Sequence, residues 1–246
     1  RGYNDRAIYM GDPDFVEVPI TKLLSKKYAK NRGSEIDLKK ATKNSSLPSV
    51  TTTFKEGRDT THFSIIDTFG NRVSATLSIN TTFGSGFVAG STGVLLNNHM
   101  NDFVLTPNSP NAYGLVGNIK NSIEPGKRPL SSMSPTFVED NRGILVIGTP
   151  GGSRIISMVI LGILEYLKDK KLNIENIVNK PRLHHQYIPD QIQIEPVGFD
   201  QKWIEAMESK GHKVFIADNQ WGNMQIIFFN KLNRNYAVGN DPRGLK

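Results

Sequence analysis

The sequence predicts an α+β layered domain, and three observations carry that prediction. Residues 62–80 read as a pair of strands, residues 153–169 as a strongly apolar helix, and three further strand patterns close the chain. Strands, then buried helices, then strands is an order that fits such layering.

The strand signal is cleanest over 71–80, where Val73, Ala75, Leu77 and Ile79 alternate with Ser74, Thr76 and Ser78. Upstream, 62–67 reads as a shorter strand with Phe63 and Ile65 on one face. Between the two sits Thr68-Phe69-Gly70-Asn71, whose Gly-Asn pair is a turn signal, so the strands should form a hairpin. With a Phe69-Gly70 loop, Thr68 faces Asn71, Thr60 lies opposite Ile79 and Thr61 opposite Ser78. A slip of one or two positions still leaves Ser78 and Asn80 beside Thr60, within the ~5 Å spacing of neighbouring strands. Local pairing alone therefore expects Thr60 in a polar pocket.

Residues 144–147 form a short apolar strand that runs through Gly148-Thr149-Pro150-Gly151-Gly152 into the 153–169 helix, which is apolar enough to be buried on most sides. A second helix starts after Asn173, a suitable N-cap, and ends before Pro181. A third spans 200–210 and stops at Gly211. Strand patterns follow at 213–217, 225–229 and 236–239.

The first 59 residues read differently. Residues 22–43 are polar, weakly helical and rich in Lys, Asn and Ser, and 44–53 (Asn-Ser-Ser-Leu-Pro-Ser-Val-Thr-Thr-Thr) is a loop by composition. Chains tolerate opening or cutting in such stretches. The chain starts at Arg1 rather than Met, as expected of a fragment or a processed product.

Composition excludes several classes. The formal charge is +7, but the basic residues are dispersed. The densest groups, within 22–30, 39–43 and 168–171, lack aromatic interleaving and read as solvated surface rather than a nucleic-acid groove. No apolar run approaches the ~20 residues of a membrane span. With no cysteine there is no disulfide, thiol nucleophile or Cys-ligated zinc.

Several segments can carry chemistry, each with a plain structural reading beside it. The 149–153 turn is either an ordinary connection or an anion site made from backbone N–H groups at a helix start. Ser131 and Ser132, within Leu130-Ser131-Ser132-Met133-Ser134-Pro135-Thr136, belong to a hydroxyl-rich turn. Residues 97–102 (Asn-Asn-His-Met-Asn-Asp) follow an apolar strand and deliver amides, His99 and Asp102 to one place. His184 and His185 point to opposite faces if extended, which favours hydrogen bonding over metal ligation. No Gly-x-Ser-x-Gly elbow is present.

Longer motifs narrow the field. Asp59-Thr60-Thr61-His62-Phe63-Ser64, Asn80-Thr81-Thr82-Phe83-Gly84-Ser85-Gly86 and Gly93-Val94-Leu95-Leu96-Asn97-Asn98 resemble the small subunit of γ-glutamyltranspeptidases. So do the stretches 127–136 and 148–154 and Asp241-Pro242-Arg243, in order from Thr60 to the C-terminus. Tyr9-Met10-Gly11-Asp12-Pro13-Asp14-Phe15 resembles the tail of the family's large subunit. The resemblance implies an N-terminal nucleophile hydrolase, an αββα sandwich whose precursor cuts itself between Asp59 and Thr60. Residues 1–59 would be the large-subunit tail with its cleavage linker, and 60–246 the catalytic small subunit. Thr60 would attack γ-glutamyl amides such as glutathione and pass the γ-glutamyl group to water or to amino acid and peptide acceptors. No metal or organic cofactor is implied. The remainder of the large subunit is the expected partner, and the family's export implies a periplasmic or extracellular location.

The resemblance also assigns residues. Asn80, Asp102, Ser131 and Ser132 would hold the donor's α-amino and α-carboxylate groups, Gly151 and Gly152 would bind the oxyanion, and Tyr113 would belong to a lid. Ser78 stands where the family usually has threonine beside the nucleophile, and its hydroxyl can still bond to Thr60. His99 stands where Gln or Glu usually helps to bind the donor amine. A neutral imidazole can accept that bond, whereas an imidazolium would repel the ammonium. Two rival readings remain: a cephalosporin acylase-like or poly-γ-glutamate-cleaving amidase on the same machinery, and a basic binding protein without catalysis.

Overall fold

The hairpin forms, but one residue away from the expected register. In the computed structural model, which describes residues 1–42, 60–106, 109–169 and 171–245, β1 (Thr60–Ile66) pairs antiparallel with β2 (Arg72–Ser78). Thr60 lies opposite Ser78 rather than Ile79, and Phe63 opposite Ala75. Asp67 is the cause. Its Oδ1 accepts from the N–H groups of Phe69 (2.9 Å) and Asn71 (2.8 Å), and its own N–H donates to the Asn71 carbonyl at 3.1 Å. This side-chain-closed turn lengthens the loop by one residue.

Because strand side chains alternate, that single step decides which residues share a face. It gathers Thr60, His62 and Ser64 with Ser74, Thr76 and Ser78 on one face, and Phe63 and Ile65 with Val73 and Leu77 on the other. The polar face turns inward. Ser64 Oγ donates to the Gln225 carbonyl (3.2 Å) and Ser74 Oγ to that of Ile147 (3.3 Å). The apolar face stays 42–52% exposed.

Beneath the hairpin lies an antiparallel sheet ordered β3 (Thr136–Glu139), β4 (Gly143–Gly148), β8 (Gln225–Asn230), β9 (Tyr236–Asn240). All six residues of β4 are buried because both of its faces are covered. Leu145 and Ile147, with Ile226 and Phe228, pack against Met158, Val159 and Tyr166 of α4 (Ile155–Lys168) and Ile174, Ile177 and Val178 of α5 (Ile174–Asn179). The alternate positions face the hairpin. There Gly148 is required, since a Cβ would lie 2.1 Å from the His62 ring. Helices, sheet and hairpin thus make three stacked layers.

The helix ends follow their sequence signals. Asn173 caps α5 by accepting from Asn176 N–H, Asp200 caps α6 (Gln201–Ser209) by accepting from Trp203 N–H, and Gly211 follows with φ +92°. One expected strand belongs elsewhere. β7 (Val214–Ile216) joins β5 (Leu183–His184) and β6 (Ile192–Ile194) in a separate three-stranded sheet. A buried ionic cluster ties this unit to the main sheet. Arg182 pairs with Asp241, Arg243 pairs with Glu195 at 2.7 Å, and Asp241 also accepts from Met224 N–H at 2.8 Å. Buried charges persist only when paired and hydrogen-bonded in this way.

The N-terminal segment carries α1 (Gly2–Tyr9), α2 (Ile20–Leu23) and α3 (Lys26–Ser34), and it meets the body of the chain through α1 and the loop between α1 and α2. Tyr3 OH donates to the Ser153 carbonyl at 2.5 Å, and Asp12, in the α1–α2 loop, takes Arg128 in a forked pair at 2.5 and 2.9 Å. That guanidinium holds the Asp12 carboxyl well below the usual carboxylate range. Asp59 and the expected cleavage linker fall within 43–59, outside the described residues.

Candidate active site

Thr60 begins β1 at the inner edge of the hairpin and is buried, 8% exposed. Its Oγ1 lies 2.8 Å from Ser78 Oγ, the residue that the observed register sets directly across from it. Ser78 Oγ also accepts from Asn80 N–H at 2.9 Å, and with one proton and a second lone pair it can either donate to Thr60 Oγ1 or accept from it. Asn80, two residues past the end of β2, takes a left-handed turn with φ +80°. Its Nδ2 donates to the Asn98 carbonyl (3.1 Å), while Asn98 Oδ1 accepts from Thr81 N–H (3.1 Å).

Tyr113 closes over this corner. Its hydroxyl donates to the Asn80 carbonyl at 2.5 Å, and its ring lies so close to Gly152 that a Cβ there would meet it at 2.6 Å. Gly152 has φ +56° and opens the short 3-10 turn that feeds α4; Gly151 before it has φ +138°. N–H groups at a helix start have no acceptor within the helix, so this turn can receive an oxyanion. Gln186 fixes the arrangement. Its Nε2 donates to the Tyr113 carbonyl (2.8 Å), and its Oε1 accepts from Ser153 Oγ (2.6 Å) and His184 Nε2 (2.9 Å).

The polar cluster 97–102 lands on the other side of Ser78. His99 Nε2 lies 3.1 Å from the Ser78 carbonyl and His99 Nδ1 lies 2.8 Å from Asp102 Oδ2. Burial pushes the Asp102 carboxyl up, partly offset by the His99 bond and by Arg6. Arg6, from α1, donates to the Ser131 carbonyl (3.2 Å) and to Ser132 Oγ (3.2 Å). A cavity lined by Arg6, Met10, Asn101, Asp102, Val116 and Leu130 runs between α1 and this cluster. Ser131 keeps the local turn bond expected of it, its Oγ accepting from Met133 N–H at 3.0 Å.

The structure thus brings Thr60, Ser78, Asn80, Tyr113 and Gly152 into one chain of contacts, with Gly151 beside Gly152 in the turn. His99 and Asp102 join it at Ser78, and Arg6 brings Ser131 and Ser132 toward Asp102. Three contributors were missed in the sequence, Arg6, His62 and Gln186, while Asn98 comes from the polar cluster that was read there. His62 had a usable signal, since strand alternation puts residue 62 on the same face as residue 60. Arg6 and Gln186 had none, because tertiary packing alone brings them there. His184 and His185 are hydrogen-bonded as expected, His184 Nδ1 to Ser157 Oγ (2.8 Å) and His185 Nε2 to Asp190 (3.1 Å).

His62 sits between the hairpin and the main sheet, with Nδ1 2.8 Å from Thr76 Oγ1 and Nε2 3.1 Å from Ser64 Oγ. Burial pushes its pKa down to about 4, and that of His184 to about 3. The unfolded chain takes up these protons near 6.5, while the folded one refuses them until far lower pH. Stability is therefore expected to fall as pH drops from about 6.5 toward 4. Thermal melts across that range check it: His62→Asn should show a shallower acid limb than the wild type, and equal limbs would take His62 out of the effect.

A family model for gamma-glutamyltranspeptidase matches residues 1–246. The chain belongs to that family. It is 44% identical over 244 residues to the glutathione hydrolase proenzyme of Escherichia coli (strain K12), covering 99% of this chain and 41% of that protein. It is 40% identical over 250 residues to the glutathione hydrolase proenzyme of Pseudomonas aeruginosa, covering 99% and 43%. The chain thus spans about two fifths of the length of these relatives. Among solved structures, Helicobacter pylori gamma-glutamyltranspeptidase is similar with a TM-score of 0.70 at 40% identity, over 74% of this chain and 98% of that chain. Cephalosporin acylase from Bacillus halodurans, at 24% identity and a TM-score of 0.70, covers 96% of this chain and 40% of that one and speaks to the fold alone. The fold is the α+β architecture of N-terminal nucleophile hydrolases.

Proposed function

We propose that this chain is the catalytic part of a γ-glutamyltranspeptidase and glutathione hydrolase, with Thr60 as its nucleophile. The observation that carries the reading is the 2.8 Å contact between Thr60 Oγ1 and Ser78 Oγ at the head of a buried strand. A threonine hydroxyl needs a base to attack at neutral pH. Cleavage between Asp59 and Thr60 frees an α-amine of pKa ~8 on the same residue, which accepts the hydroxyl proton. Oγ1 then adds to the γ-carbonyl of the donor, and the Gly151–Gly152 turn stabilises the oxyanion. The C–N bond breaks, the amine carries the proton to the leaving nitrogen, and a γ-glutamyl ester remains on Thr60. Water or the amine of an amino acid or peptide releases it.

Asn80, Asp102, Ser131 and Ser132, with His99, hold the donor's α-amino and α-carboxylate groups, and Tyr113 covers the pocket. The small subunit comprises residues 60–246, and the structural match over 74% of this chain agrees in extent with that segment. The rest of the precursor is the partner: the outward apolar face of the hairpin, with Phe63, Ile65, Val73 and Leu77, needs a covering layer. The enzyme works in the periplasm or outside the cell. Turnover of γ-glutamyl-p-nitroanilide by the full-length processed enzyme tests the assignment. It should exceed turnover of the corresponding glutaryl amide, which lacks the α-amine, by at least about tenfold; the reverse order would favour an acylase.

A further inference from the structure

Two acceptors face the imidazole of His99. The Ser78 carbonyl can only accept, so Nε2, 3.1 Å away, carries a hydrogen. A neutral ring protonated there would turn the Nδ1 lone pair toward Asp102 Oδ2 at 2.8 Å, acceptor against acceptor. The contact is a hydrogen bond only if one more proton lies between them, on Nδ1 beside an ionised carboxylate or on Oδ2 beside a neutral ring. Both arrangements describe the same neutral pair, and the proton belongs to the pair rather than to either residue.

We propose that His99 and Asp102 hold one shared proton in the empty donor site, and that the α-ammonium of a γ-glutamyl donor displaces it to solvent on binding. The inference rests on the reading of Asp102 as the ammonium's partner. An ammonium brings three N–H donors, enough to serve both Nδ1 and Oδ2 once the shared proton has gone. Retaining that proton would put two positive charges on one carboxylate in a part-buried pocket. Arg6, the other charged group acting on Asp102, would make three. The remaining neighbour on the β2 side is the Ser78 carbonyl, whose claim on Nε2 is unchanged by donor binding. Burial of Asp102, which resists an isolated carboxylate, supports a proton held there until a compensating cation arrives.

His99 is thus a positioning residue that couples donor binding to proton release. A glutamine at this position can donate to the Ser78 carbonyl and accept from the ammonium, but it has no proton to lose. By linkage, donor affinity in the wild type rises up to tenfold per pH unit while the proton is held in the free site, and less than that once it is gone.

The test uses L-glutamate, which carries the donor's α-groups without a scissile bond. Calorimetric titration of the processed full-length enzyme at pH 7 in buffers of different ionisation enthalpy counts the protons exchanged. An equilibrium measurement avoids the kinetic acid limb of the Thr60 amine, and the comparison with His99→Gln cancels any proton that amine exchanges. About one more proton should leave per glutamate from the wild type than from His99→Gln. Equal counts would overturn the proposal. Should His99→Gln fold poorly, His99→Asn, which also lacks the ring, supplies the same comparison: about one more proton leaving the wild type upholds the shared proton, and equal counts refute it. Asp102→Asn separates the two layers of the argument. Wild-type glutamate affinity in that variant would sink the donor-site reading itself. Weakened affinity there, with equal proton counts in wild type and His99→Gln, would sink only the shared proton.

Discussion

Replacing Thr60 with alanine is expected to leave the full-length precursor as a single chain and to bring γ-glutamyl turnover to background. Both effects have one cause. In the proposed mechanism the Thr60 side-chain oxygen attacks both the donor and, earlier, the peptide bond before residue 60. Ser78 Oγ lies 2.8 Å from that oxygen, opposite it on β2. It can orient the attacking hydroxyl without replacing it. Residue 60 is buried yet small, and alanine leaves the backbone pairing of β1 with β2 intact, so misfolding is not the expected reason for inactivity. Denaturing electrophoresis and intact mass read the cleavage, and γ-glutamyl-p-nitroanilide reads the turnover. A Thr60→Ala precursor that still splits between Asp59 and Thr60 would rule out self-cleavage by this residue.

Much of this arrangement was legible because it rests on local rules. Alternation over 71–80 and the Gly-Asn turn were enough to bring Thr60 and Ser78 together, since pairing in a hairpin depends on a few adjacent residues. The register was not legible, because it hung on Asp67. A carboxylate accepting two backbone N–H groups lengthens the turn, and no hydrophobic pattern reports that. The consequence was also hidden. A polar face turned inward and an apolar face left outward reverse the usual reading of an alternating strand. This chain can afford that inversion because the inward face carries its candidate nucleophile. In the three-stranded sheet only β7 was readable, and β5 and β6 were hidden for another reason. Strands of two and three residues, with Pro189 between them, give too few positions for any period to appear. Gln186 and Arg6 stayed silent because each acts across more than 70 residues of sequence, Gln186 on Tyr113 and Arg6 on Ser131 and Ser132.

Removing the carboxylate at 102 should damage donor binding while leaving cleavage at Thr60 normal. Asp102 reaches the nucleophile only at second hand, through His99 and the Ser78 carbonyl, so Asp102→Ala leaves the Thr60–Ser78 contact and the β1–β2 pairing in place. The donor's ammonium, however, would enter a pocket that still contains Arg6 and His99 and no longer contains their counter-charge. Removing one partner of a desolvated charge pair typically costs about 2–5 kcal/mol. At about 1.4 kcal/mol per factor of ten, that is roughly 30- to 4000-fold in kcat/KM. The loss should fall mainly on KM if ammonium pairing is equal in the ground and transition states, because uniform binding leaves kcat untouched. Asp102→Asn should recover little, since an amide restores shape and one acceptor but no charge. A fully cleaved Asp102→Ala enzyme with the wild-type kcat/KM would place the donor's ammonium somewhere else in the pocket.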